Sequence, residues 1–211
     1  MAWIKDNISL IITKTIEHTV ISLIALAIGI LIAVPLGILV CKNKRLSQIV
    51  LSIASVLQTL PSLALLAIMV PFFGVGKLPA IIALVIYSLL PILRNTILGM
   101  ESVDKDLLDA SKGMGLSYTQ ILKRVQIPLA IPIIMSGISL SAVYLVAWTT
   151  IASYIGAGGL GDLIFMGLSN YNFGAILGGS IPVTLLALLF DLVIGRLEKV
   201  LTPNTSRKEF V

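Results

Sequence analysis

Charge is scarce in this chain. Asp, Glu, Lys and Arg make up 12% of its 211 residues, where soluble domains carry roughly a quarter. With 57% hydrophobic residues and a mean hydropathy of +1.06, the composition excludes a soluble globule. It reads as an all-α, polytopic helical membrane protein. Acidic residues are the scarcest, 10 against 15 Lys and Arg, for a net charge of +5. That excess does not make a nucleic-acid binder, because the basic residues are scattered over loops flanking apolar runs and form no basic face. The single Cys41 excludes an internal disulfide. The single His18, beside Glu17 and with no Cys or acidic cluster near it, reads as an interface residue, so neither a metal nor a cofactor is expected. No Gly-x-x-x-x-Gly-Lys-Ser/Thr phosphate loop occurs, so ATP is not hydrolysed here. Gly-x-Ser-x-Gly and His-Glu-x-x-His are missing too. An intramembrane enzyme would therefore lack its nucleophile and base, or its metal ligands.

What the chain has is long runs free of charge. A helix needs about 20 apolar residues to cross the hydrocarbon. Four runs reach that length, near Thr19–Cys41, Leu46–Phe72, Leu129–Ala152 and Phe173–Leu192, and the shorter Leu78–Leu93, bracketed by Lys77 and Arg94, makes a fifth. The first is too long for a signal-peptide core and no small-x-small site follows it, so it reads as a retained span. The glycine-rich stretch Gly156–Tyr171 reads as an outer loop, with a re-entrant or sixth short helix as the alternative.

Five spans put the termini on opposite sides. With the N-terminus outside, the inner segments hold Lys42, Lys44, Arg45, Arg94, Lys105, Lys112, Lys123, Arg124, Arg196, Lys199, Arg207 and Lys208. The outer segments hold only Lys5, Lys14 and Lys77. Positive charge marks the cytoplasmic side, so the orientation is N-out, C-in, in a single transmembrane domain over residues 1–211. The polar segment at about 94–128 is then a cytoplasmic loop.

That loop has the grammar of two short helices. Asp104 and Asp106 suit a first turn. Val103, Leu107, Ala110, Ser111 and Met114 share one face by helical spacing. Gly115 suits a left-handed helix end, and Ser117-Tyr118-Thr119-Gln120 reads as a capping box. Ile121, Leu122 and Val125 form the second stripe, which Pro128 ends or bends into the fourth span.

The segment resembles the "EAA" loop of ATP-binding-cassette (ABC) importer permeases: Glu-Ala-Ala, three residues, Gly, nine residues, Ile-x-Leu-Pro. Asp109-Ala110-Ser111 occupy the triplet, Gly115 the glycine, and Val125-Gln126-Ile127-Pro128 the end. The resemblance implies a type I importer permease fold, MetI-like, with Asp109, Ala110, Ser111, Gly115, Ile121, Val125, Ile127 and Pro128 in the loop that couples to a separate ATPase subunit. It also implies a second permease copy or paralogue, an extracytoplasmic substrate-binding protein, and a bacterial plasma membrane. Further motifs are similar to the Opu-type osmoprotectant branch: Gln58-Thr59-Leu60-Pro61-Ser62-Leu63-Ala64, Gly74-Val75-Gly76-Lys77-Leu78-Pro79-Ala80, Tyr87-Ser88-Leu89-Leu90-Pro91 and Gly156-Ala157-Gly158-Gly159-Leu160-Gly161-Asp162. This branch imports glycine betaine, carnitine and choline. A permease for methionine or another small amino acid is the alternative within the class.

Two polar clusters are candidates for the translocation path. Gln58, Thr59 and Ser62 surround Pro61 in the second span; such groups line pathways or bond between helices. In the fourth span Gly137, Ser141, Tyr144 and Trp148 fall on one face. Its two rings could meet a quaternary ammonium group, or serve packing and anchoring. Asp191, near the inner end of the fifth span, reads as a snorkelling carboxylate, and Asp162 as a turn or helix cap.

Overall fold

The computed structural model describes residues 2–202, so Arg207 and Lys208 lie outside the described residues. A short helix α1 (Ala2–Asp6) precedes α2 (Ile8–Val40), α3 (Lys44–Thr59), α4 (Ser62–Phe73) and α5 (Lys77–Glu101). Then come α6 (Lys105–Gly113), α7 (Tyr118–Ile121), a π turn at Leu122–Gln126, α8 (Ile127–Ala152), a 3-10 turn at Ser153–Ile155, α9 (Gly161–Ser169) and α10 (Phe173–Leu201). Among the described residues four helical runs are long and apolar enough to span a membrane, and the bent pair α3–α4 adds a fifth if its halves count as one span.

Helices α5 and α8 form the centre, with α2 across both and α10 against α8. Burial follows this order: 56% of the apolar window of α5 is buried, against 22% for α10. Glycines let the backbones approach. A Cβ at Gly137 of α8 would lie 2.8 Å from the Pro91 carbonyl oxygen and run into Asn95, both on α5. Gly137 is therefore a helix-packing residue and does not join a path-lining face.

The span expected at Leu46–Phe72 is not one helix. It breaks at Leu60-Pro61, and its halves meet at 93°. The residue before a proline is pushed out of the helical region, and Leu60 sits at φ −63°, ψ 129°. The first span starts earlier than hydropathy suggests, at Ile8. Lys14, Glu17 and His18 lower the local hydropathy, yet their partners across the fold hold this turn in the helix. The stretch Gly156–Tyr171, read as an outer loop, contains α9, which packs on α10. Pro128 ends nothing. The Ile127 N–H donates to the Leu122 carbonyl, five residues back. This widened turn accommodates a proline, whose ring would otherwise collide with the carbonyl four residues earlier. The result is one helical run from Tyr118 to Ile155, 38 residues long.

Candidate functional site

The loop segment is built by local capping. The Asp104 carboxylate accepts the Asp106 N–H at 2.9 Å and starts α6. Gly115 closes it with φ +80°. Its N–H donates to Lys112 O at 2.9 Å, and the Leu116 N–H donates to Ser111 O at 3.2 Å, the pattern of a left-handed helix end. The Ser117 N–H donates to Gln120 Oε1 at 2.7 Å and opens α7. Lys112, 2.7 Å from Asp109, holds that carboxyl below its usual range.

The face expected to unite Val103, Leu107, Ala110, Ser111 and Met114 is split. Val103 and Ser111 are buried, whereas Leu107, Ala110 and Met114 are exposed, Met114 by 73%. A nine-residue helix resting on its own spans from one side can bury only part of a wide stripe. Ile121 is buried, and Leu122, Val125, Ile127 and Pro128 are half-buried. Two long-range contacts anchor the segment. The Lys42 ammonium sits 3.3 Å over the Tyr118 ring, and Gln126 Nε2 donates to Met100 O at 3.0 Å. Neither partner could be read from local spacing.

The two polar clusters meet through Tyr87, which the sequence offers only as part of a family motif. Tyr87 of α5 donates its hydroxyl to Leu60 O at the bend, at 2.7 Å. A carbonyl that leaves a helix needs a partner, and Tyr87 supplies it. The same ring packs against Trp148, with centroids 4.6 Å apart, and Trp148 packs against Tyr144 at 5.4 Å. Tyr87 is 3% exposed, Trp148 half-buried and Tyr144 41% exposed, so the stack opens stepwise from Tyr87 to Tyr144. Gln58 and Ser62 are half-buried beside the bend, and Thr59 is exposed. Ser141 is different: it is fully buried and donates to Ser88 O at 3.3 Å, joining α8 to α5. Its hydroxyl ties the two helices together.

At the opposite end from the capped loop, α2 meets the glycine-rich stretch. Lys14 bonds Asp162 at 2.7 Å and Glu17 at 3.1 Å, and Lys77 reaches Glu17 at 3.2 Å. Asp162 lies in the first turn of α9 as well as in this cluster. Glu17 also accepts the Gly159 N–H at 3.3 Å. His18 is not an interface residue. It is fully buried, with Nε2 2.9 Å from Val146 O and Nδ1 accepting the Leu160 N–H at 3.3 Å. The tautomer carrying its proton on Nε2 satisfies both contacts. Asp191 does more than snorkel: it accepts the Ser139 hydroxyl at 2.7 Å, across α8 and α10. Among the described residues no group of His, Cys, Asp and Glu could hold a metal ion.

A bent helix pair, a capped loop leading into the longest described helical run and an all-helical body define a polytopic helical membrane fold. The chain matches the binding-protein-dependent transport system inner membrane component family over residues 25–207, and it belongs to that family. It is 52% identical to the carnitine transport permease protein OpuCB of Listeria monocytogenes, over 99% of this chain and 95% of the relative. It is 49% identical to the glycine betaine/carnitine/choline transport system permease protein OpuCB of Bacillus subtilis, over 97% and 94% respectively. Among solved structures, the inward-facing MetNI methionine ABC transporter superposes with a TM-score of 0.84 at 22% identity, over 94% of this chain and 99% of that one. That likeness shows the fold.

Proposed function

We propose that the chain is the membrane-spanning subunit of an ABC importer for quaternary ammonium osmoprotectants: glycine betaine, carnitine and choline. The observation that carries this reading is near-full-length identity of 49–52% to permeases named for those solutes. A methionine permease is less well supported, since the methionine transporter shares the fold at only 22% identity.

In this reading ATP is hydrolysed on a partner chain. That ATPase subunit receives the exposed ridge of Leu107, Ala110 and Met114, because a short amphipathic helix in a groove is a recurrent interface. Asp109, Ser111 and Gly115 shape the ridge, and Ile121, Val125, Ile127 and Pro128 join it to α8. A second permease copy or paralogue completes the pathway, and an extracytoplasmic binding protein delivers the solute. The N-terminus lies outside and the capped loop inside, as the basic residues require. Gln58, Thr59 and Ser62 at the bend, with Tyr144 and Trp148 opposite, border the route.

Radiolabelled uptake into proteoliposomes containing both permeases, the ATPase and the binding protein tests this. ATP-dependent entry of betaine, carnitine or choline is expected. Entry of methionine with none of the three would overturn the substrate class.

A further inference from the structure

Asp191 is the only charged residue of α10 between Phe173 and Gly195, and it sits among exposed Leu188, Leu189 and Leu192. A carboxylate facing hydrocarbon is costly, so such residues face protein or a water-filled cavity. An open groove is present. Asp191 lines an open cleft of about 880 Å³ between α8 and α10, with Ser136 and Ser139 across from it. The Ser139 hydroxyl fixes one carboxylate oxygen at 2.7 Å. No Lys or Arg among the described residues pairs with Asp191. Arg196, Glu198 and Lys199 line the same cleft further along α10. Arg196 follows Asp191 by five residues, roughly 7.5 Å along the axis and about 140° around it, and both line the cleft, which thus holds a carboxylate and a guanidinium.

We propose that this cleft is a station on the translocation path for zwitterionic quaternary ammonium carboxylates. The trimethylammonium head sets against Asp191 and the carboxylate turns toward Arg196. A trimethylammonium group has no N–H to donate. It is held by opposite charge and apolar contact, and the cleft supplies both through Asp191 and the neighbouring Leu140, Val143 and Leu192. Choline carries the same head without a carboxylate, so it uses only the first of the two points. This inference rests on the substrate class proposed above.

The test is uptake at sub-saturating solute by the assembled transporter in proteoliposomes. If the unaltered complex moves none of betaine, carnitine and choline, the substrate class fails. If it moves them, D191N and R196Q decide the role of the cleft. D191N is expected to slow all three by about 10-fold, because each loses the charge its head meets. R196Q is expected to slow betaine and carnitine about as much and to leave choline within about 2-fold. Co-purification with the ATPase subunit reports whether each variant assembles. Unaltered uptake in D191N overturns the proposal, and so does an equal loss of choline and betaine in R196Q. Where D191N does not assemble, the choline-to-betaine ratio of R196Q alone decides, and an unchanged ratio overturns the proposal.

Discussion

Gln126 and Met100 are joined by a hydrogen bond of 3.0 Å, from the carboxamide to a main-chain carbonyl. Helix α5 ends at Glu101, so the Met100 carbonyl has no partner inside its own helix. Gln126, in the π turn ahead of α8, supplies one. The end of one central helix is thereby tied to the segment proposed to receive the ATPase.

Gln126→Leu keeps the bulk and removes the bond. A partly buried bond of this kind is worth about 1 kcal/mol, too little to unfold the chain. The expected result is normal membrane insertion with weaker stimulation of ATP hydrolysis by the solute-loaded binding protein. Measuring the ratio of stimulated to basal hydrolysis checks this, and an unchanged ratio would count against a transmitting role.

Gly115 holds φ +80°, and nothing lies within 4 Å of where its Cβ would be. The demand on this position is therefore conformational, without a steric component. Gly115→Val should cost about 1–3 kcal/mol at the turn. It should insert normally, lose transport and co-purify poorly with the ATPase. Gly115→Asn should retain far more, since asparagine tolerates the left-handed region. Equal losses in the two variants would show that backbone geometry is not what the position requires.

His18 accepts the Leu160 N–H in a fully buried setting. His18→Phe leaves that N–H without a partner, at a cost of about 1–3 kcal/mol. A lower thermal midpoint of the purified protein in detergent is expected, and an unchanged midpoint would show that the bond is dispensable. No corresponding loss should follow Lys77→Gln, which removes only an exposed arm of the ion cluster.

Cys41 lies just past the end of α2. Burial, then the nearby Glu101 carboxylate, pushes its thiol pKa up from the ordinary value. The thiolate is the reactive form, so a raised pKa means slow labelling at neutral pH and a rate that climbs on the alkaline side. Glu101→Gln removes the second cause and should speed labelling at fixed pH. In intact cells a membrane-impermeant maleimide should leave Cys41 unmodified. Efficient labelling from outside would reverse the proposed orientation.

The parts legible in the sequence are those whose physics is local. The caps at Asp104, Gly115 and Gln120 act within a few residues, so spacing reveals them. Composition announced the helical membrane body, and the lengths of the charge-free runs placed its spans near the four long helices and the bent pair. The break at Pro61 was signalled by the residue itself, yet the 93° between its arms depends on where Tyr87 waits, 27 positions along the chain. His18 illustrates the same limit. Its neighbours in sequence place it at a membrane edge, while its bonding partners lie on α8 and before α9. Ser141 and Gly137 shared a helical face with Tyr144 in the periodic reading. A face 100° wide is broad enough to hold both packing and open positions, and only α5 decides which is which.

The run from Tyr118 to Ile155 has 38 residues, which amount to about 57 Å at 1.5 Å per residue. At its far end the Ile155 carbonyl accepts the Gly76 N–H at 2.9 Å. The run is interrupted by the π turn at Leu122–Gln126, holds Pro132 within α8 and ends in the 3-10 turn at Ser153–Ile155. The glycines at positions 74, 76, 156, 158 and 159, all with positive φ, gather at that end. Positive-φ glycines therefore flank that contact on both sides, at Gly76 and Gly156.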